Sequence, residues 1–236
     1  MAVIVLAQCL STSLWFSPSG VADSLMQAWQ LSAAAFGWLL AATQLGFIAG
    51  TLAFAFSGAA DRFQPTRIFV VCSAIGALAN AAVTWGVTDY GVFWSLRFVV
   101  GMCLAGIYPL GMKMLVQRVG SKPAAALGWL VGALVLGSAS AHGIRAVSGE
   151  LPWSTVMLSV AGLAASGGLM LYALIPEPAH KPAQAKHLQW QALATIWTDR
   201  RVRSSVLGYF GHMWELYTLW VLVPLILATQ FEGAAL

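Results

Sequence analysis

Seven stretches of this chain are long and apolar enough to cross a lipid bilayer, and this constrains the fold more than any motif does. A hydrocarbon core about 30 Å thick takes about 20 apolar residues of helix, within a range of roughly 17–25. On that ruler the spans fall at about 2–18, 34–57, 68–88, 92–116, 124–144, 153–175 and 204–230. Charge is the check on this reading. Charged residues make up 8% of the 236 and hydrophobic ones 59%, whereas a soluble domain carries about 25% charged residues because water must wet its surface. Twelve basic and eight acidic side chains cannot cover a soluble particle of this size. The composition excludes a water-soluble enzyme, a disordered chain and a nucleic-acid-binding domain. The expected class is all-α: an integral, multi-pass membrane helix bundle whose main partner is lipid.

The basic residues orient the bundle. Lys and Arg collect in the cytoplasmic loops of membrane proteins. Arg62 and Arg67 follow span two; Lys113, Arg118 and Lys122 lie at and beyond the end of span four. Lys181, Lys186, Arg200, Arg201 and Arg203 follow span six. Only Arg97 and Arg145 lie toward the other side. This bias predicts a cytoplasmic N-terminus. The N-terminal run Met-Ala-Val-Ile-Val-Leu-Ala has no basic leader region, so it reads as a retained span rather than a cleaved signal. It starts abruptly, as a chain lacking a few preceding residues would.

The stretch 176–203 has a different texture. Pro176, Pro178 and Pro182 favour an extended linker. Trp190, Leu193, Ala194 and Trp197 then share one helical face, the pattern of a short helix lying in the headgroup layer. The expected organisation is a six-helix bundle over 1–175, a basic linker over 176–203 and one further helix over 204–236. Glycine spacings predict close helix contacts: Gly46 with Gly50, Gly128 with Gly132, and Gly101, Gly106 and Gly111 along span four. Pro109 removes one backbone hydrogen bond from span four and predicts a kink. Cys9, Cys72 and Cys103 have neither disulfide nor metal spacing and read as small buried hydrophobes. No metal or cofactor is expected.

Three segments now resemble a known family. The loop after span two reads Gly58-Ala59-Ala60-Asp61-Arg62-Phe63-Gln64-Pro65-Thr66-Arg67. It resembles the loop signature of the major facilitator superfamily, a glycine before an Asp-Arg pair with basic residues following. Ser57 stands where the first glycine is expected, and Gln64-Pro65 replace a Gly-Arg pair. Arg97 with Gly101 four residues later resembles the span-four pattern of the family. Gly128, Gly132 and Gly137 resemble its span-five signature, but Ser138 replaces the antiporter proline, which argues against an antiporter. The resemblance covers residues 1 to about 230. It implies a six-helix half built of inverted three-helix repeats, followed by the first helix of a second half that is otherwise missing. It also implies that Asp61, Arg62 and Arg67 form a latch between the two halves.

Polar groups inside the hydrocarbon are costly, so each is a candidate. Arg97 shares a face with Gly101, Leu104 and Tyr108. It reads either as a cavity cation for an anionic group or as a hydrogen bonder inside the bundle. Lys113 lies near the inner end of span four and is expected to snorkel to the surface. His212 and Glu215 share a face of span seven, with Glu215 about 18 Å beyond Arg203. A carboxyl at that depth beside an imidazole fits proton coupling. Gln8, Gln44, Asn80 and His142 are lesser candidates. The resemblance places spans one, two, four and five on the cavity and so favours Gln8, Gln44 and His142 over Asn80.

The expected function is a secondary active transporter working by alternating access in the cytoplasmic (inner) membrane. The intramembrane cations Arg97, His142 and His212 favour a small polar or anionic solute, the motif resemblance also allows a drug-like compound, and Glu215 beside His212 suggests H+ as coupling ion. A second reading is a fragment that is inactive, or active only with a partner supplying the missing C-terminal half. A seven-helix receptor is remote, because its N-terminus would lie outside and 204–230 has no lysine for a retinal Schiff base. An intramembrane enzyme lacks support: there is no aspartate pair within spans, no Ser-His spacing and no HExxH.

Overall fold

The computed structural model describes residues 1–119, 123–148, 151–176, 194–195 and 197–232. They are mostly helical, with no strand among them. Residues 1–186 and 187–236 form two separate compact units.

The first unit contains α1 (Ala2–Thr12), α2 (Ala22–Trp29), α3 (Ala33–Ser57), α4 (Ala59–Arg62), α5 (Pro65–Ala82), α6 (Tyr90–Val119), α7 (Pro123–Ser148) and α8 (Trp153–Leu174). Among the described residues, α3, α5, α6, α7 and α8 are long and apolar enough to cross a membrane. Local chemistry sets their ends. Ser32 caps α3 by accepting from the Ala35 amide at 3.2 Å. Gly58, at φ 62°, closes α3 in the left-handed conformation that a side chain would resist. Pro65 opens α5, where its missing N–H costs nothing. Asp89 starts α6 by accepting from the Val92 amide at 2.8 Å. The helix then runs unbroken through Pro109.

The first predicted span needs correction. The α-helix stops at Thr12, and the chain turns through 13–18 and a 3-10 turn at Ser19–Val21 before α2 begins. Pro18 lacks the N–H that would bond the Leu14 carbonyl, and the regular helix ends before it. The turns tighten instead: Trp15 N donates to Thr12 O, and Ser19 N to Phe16 O, each at 3.0 Å. The polar run Ser17–Gly20 therefore marks a bend between helical segments. α2 packs back on the bundle through buried Leu25 and through Trp29, whose ring lies 4.8 Å from that of Phe93.

α3 packs mainly on α6, α5 on α6 and α8, and α1 on α8, α7 and α6. Glycine makes these approaches possible. A Cβ on Gly46 would collide with the Phe98 carbonyl, and one on Gly101 with the Thr43 carbonyl, so the two backbones lie in direct contact. Gly50 faces Met102 O and Ala105, and Gly137 faces Cys9 O on α1. The expected packing pair Gly128–Gly132 is corrected. A Cβ on either would meet nothing within 4 Å among the described residues. Both lie on the face of α7 turned away from α1, where Trp129 and Leu136 are also exposed.

The second unit contains α9 (Arg200–Glu232). Asp199 opens it, its carboxylate accepting from the amides of Arg201 at 2.7 Å and Val202 at 3.3 Å. The headgroup helix expected around Trp190 lies mostly outside the described residues.

We predict that Gly46→Leu lowers stability by roughly 1–3 kcal/mol, the cost of overpacking a closed interface. Gly128→Leu should leave stability within about 0.5 kcal/mol. Thermal unfolding of the detergent-purified chain, followed by size-exclusion chromatography, distinguishes the two.

Candidate functional site

The polar centre of the bundle forms around Arg97, which is wholly buried on α6. A guanidinium has five N–H donors, and here every one is engaged. Nε donates to Thr43 Oγ1 at 3.1 Å. Nη1 donates to Ser17 Oγ at 3.0 Å and to Asn80 Oδ1 at 2.9 Å. Nη2 donates to the carbonyls of Leu14 at 3.0 Å and Trp15 at 2.9 Å. All five acceptors are neutral.

The sequence supplies these acceptors through the break after α1. Pro18 leaves the Leu14 carbonyl without its helical donor. The tight turn that follows gives the Ser19 amide to Phe16, which frees the Trp15 carbonyl as well. The two carbonyls released by one proline are the two that receive Nη2. Asn80 extends the network: its oxygen also accepts from Ser17 Oγ at 2.7 Å, and its amide donates to Met157 O on α8 at 2.9 Å. One side chain thus joins the turn after α1 to α3, α5 and α6, and through Asn80 to α8.

A buried charge costs several kcal/mol of desolvation, and each hydrogen bond to a charged group returns about 1.5–3 kcal/mol. Arg97 therefore fits the internal hydrogen bonder of the two sequence readings. It has neither exposure nor a spare donor for a solute anion. Asn80, ranked below the other amides from sequence, is part of this centre. Thr43 and Ser17 were not singled out at all. The available signal was Pro18 placed four residues after Leu14, which announces a free carbonyl inside the bilayer.

The other candidates lie apart. Gln44 is half-buried and accepts from Trp15 Nε1 at 3.4 Å, so it joins the Arg97 centre through Trp15. Gln8 is fully buried against Gly111, and its amide nitrogen and oxygen have no partner among the described residues. Tyr108 is half-buried on α6. His142 is exposed and within 3.2 Å of Ser19 Oγ. His212 and Glu215 are exposed on α9.

At the α4 end of the bundle, Lys113 Nζ lies 2.6 Å from Asp61 Oδ1 and donates to Ala60 O at 2.7 Å. Lys113 is partly exposed there and Asp61 more so. The short α4 leaves carbonyls without helical donors, and the ammonium on α6 takes one. Asp61, Arg62 and Arg67 are exposed around it. Gly106 leaves room for Cys72 Sγ, and Cys72 lines the same cavity as Cys103. Two of the three cysteines, unrelated by sequence spacing, thus meet in the fold. No group of three or more His, Cys, Asp or Glu side chains suited to a metal ion occurs among the described residues.

We predict that Thr43→Val and Asn80→Leu each lower stability by about 1.5–3 kcal/mol, because each strands a donor of a buried cation. Thermal unfolding in detergent measures the loss. Unchanged stability in both would show that these acceptors are dispensable.

Comparison with known proteins bears on the chemistry. The sequence matches the Major Facilitator Superfamily over residues 4–235. It is 26% identical over 227 residues to NiaP of Bacillus subtilis (strain 168), named as a candidate niacin/nicotinamide transporter. That alignment takes in 89% of this chain and 53% of the relative, so the chain spans about half the length of the protein it matches.

Proposed function

The chain belongs to the major facilitator superfamily, a family of transporters rather than enzymes, and from that premise we propose that it is one lobe of a secondary active transporter working by alternating access. Its multi-pass bundle lies in the cytoplasmic membrane with the N-terminus and the α4 end facing the cytoplasm. The observation that carries this reading is the family match across both units. The tied loop at the α4 end supports it. There Asp61, Arg62 and Arg67 serve as a latch toward a second lobe, and the Asp61–Lys113 pair holds the latch on α6.

The solute is a small polar or anionic organic compound, and the relative's name points to a pyridine carboxylate or carboxamide. Gln44, half-buried and oriented by Trp15, offers an amide to such a solute, and Tyr108 a phenol. Arg97 holds the wall on which Gln44 and Trp15 stand, and does not bind the solute. Glu215, three residues from His212 on α9, carries the coupling proton.

The alignment with about half of a relative favours a second reading, a lobe that transports only with a partner. Proteoliposomes test both. The chain alone, and the chain joined to the second half of its relative, are assayed for uptake of labelled nicotinate and nicotinamide under an imposed pH gradient. Uptake by the joined form but not by the chain alone is expected. Failure of both removes this solute class. In the joined form, Glu215→Gln should abolish gradient-driven uptake while leaving solute exchange intact. Unchanged dependence on the gradient would remove Glu215 from coupling.

A further inference from the structure

The cysteines that meet between α5 and α6 do so in front of a cavity. A space of about 320 Å³ opens on the bundle surface among α3, α5 and α6, walled by Gly50, Ala53, Phe54 and Met102 with Cys72 and Cys103. Its lining is apolar, and its volume falls within the range of roughly 300–1,000 Å³ that small ligands occupy. The two thiols line the same cavity. Their closeness is built in: Gly106, three residues beyond Cys103, leaves its Cβ position to Cys72 Sγ, and Gly76 brings the α5 backbone close to the Cys103 Cβ. Cys9 sits apart on α1 and does not line the cavity.

We propose that Cys72 and Cys103 form a bidentate site for a trivalent, thiophilic arsenic centre carrying an apolar substituent. Two features select that class. Paired thiols prefer soft centres, and the lining beside them holds no imidazole or carboxylate, only the Ser57 hydroxyl. The apolar wall penalises any product that carries charge. A monovalent soft cation held by two thiolates would leave a net charge in hydrocarbon, and a divalent one, though neutral there, would leave the apolar space beside Phe54 empty. An organoarsenic(III) dihydroxide would do neither. Its two As–O bonds break and two As–S bonds form. Each thiol proton leaves with a hydroxide as water, and the product is a neutral dithioarsinite with no change of oxidation state. The organic substituent then occupies the space beside Phe54. The bridge ties α5 to α6 near the end of the bundle that carries α4. This inference does not depend on the transport reading.

The test uses phenylarsine oxide on the full chain in detergent, read by intact-mass spectrometry. One phenylarsenic adduct per chain is expected. It should persist in Cys9→Ser and be lost in both Cys72→Ser and Cys103→Ser. It should be stripped by 2,3-dimercaptopropanol and survive an equal thiol concentration of 2-mercaptoethanol, because only a dithiol matches the two-bond grip. Ala53→Trp fills the cavity from an exposed position on α3 and keeps both thiols, and it should slow adduct formation. No adduct on the unaltered chain overturns the proposal, as does an adduct that survives loss of either cysteine or yields equally to the monothiol. An unchanged rate in Ala53→Trp overturns the part assigned to the cavity.

Discussion

A guanidinium buried among helices has to be solvated by the protein, and the bundle is arranged around meeting that demand for Arg97. Five donors fix five directions. The acceptors come from α3, α5 and the turn after α1. Satisfying them all sets the rotation and height of those elements against α6. The backbone contacts at Gly46 and Gly101 are a condition of the same arrangement, because Thr43 reaches Arg97 Nε only if α3 lies directly on α6. The proline that ends α1 early is then a source of acceptors rather than a defect. In water the freed carbonyls of Leu14 and Trp15 would bond solvent; inside a bilayer they need a protein donor.

This gives the lobe one stiff region and two adaptable ones. Around Arg97, five elements share a network in which each hydrogen bond supports the others. The Asp61–Lys113 pair at the α4 end is partly exposed and worth about 0–1 kcal/mol, as surface pairs are. A contact that weak can be made and broken at little cost, as the proposed latch role requires. The outward face of α7, with Gly128 and Gly132 open, is the other region free to meet a new neighbour.

Helix content and most helix ends were legible in the sequence, because span length, Ser32, Gly58 and Pro65 are local signals. The contents of the site were less so, and the reason is the solvent. In a soluble protein a helix shows which face is buried by keeping the other face polar. Lipid is as apolar as the core, so α6 shows no polar outer face, and only small residues such as Gly101 mark the side that meets α3. Arg97 could be picked out because it is charged, but its partners are ordinary threonine, serine and asparagine. For the same reason Gly128 and Gly132 looked like a packing pair while Gly137 does the packing. The meeting of Cys72 with Cys103 depends on the rotation of two helices, which no spacing along the chain encodes.

The central claim is that the Arg97 guanidinium is held rigidly, away from water, by neutral acceptors. Nitrogen-15 NMR of the arginine side chains in detergent micelles tests it most directly, with Arg97→Gln used to assign the signal. The account predicts separate Nη1 and Nη2 resonances for Arg97, with N–H protons that exchange slowly with water and do not shift when nicotinate is added. A single averaged, rapidly exchanging resonance that moves with added anion would contradict it and return Arg97 to the solute pathway.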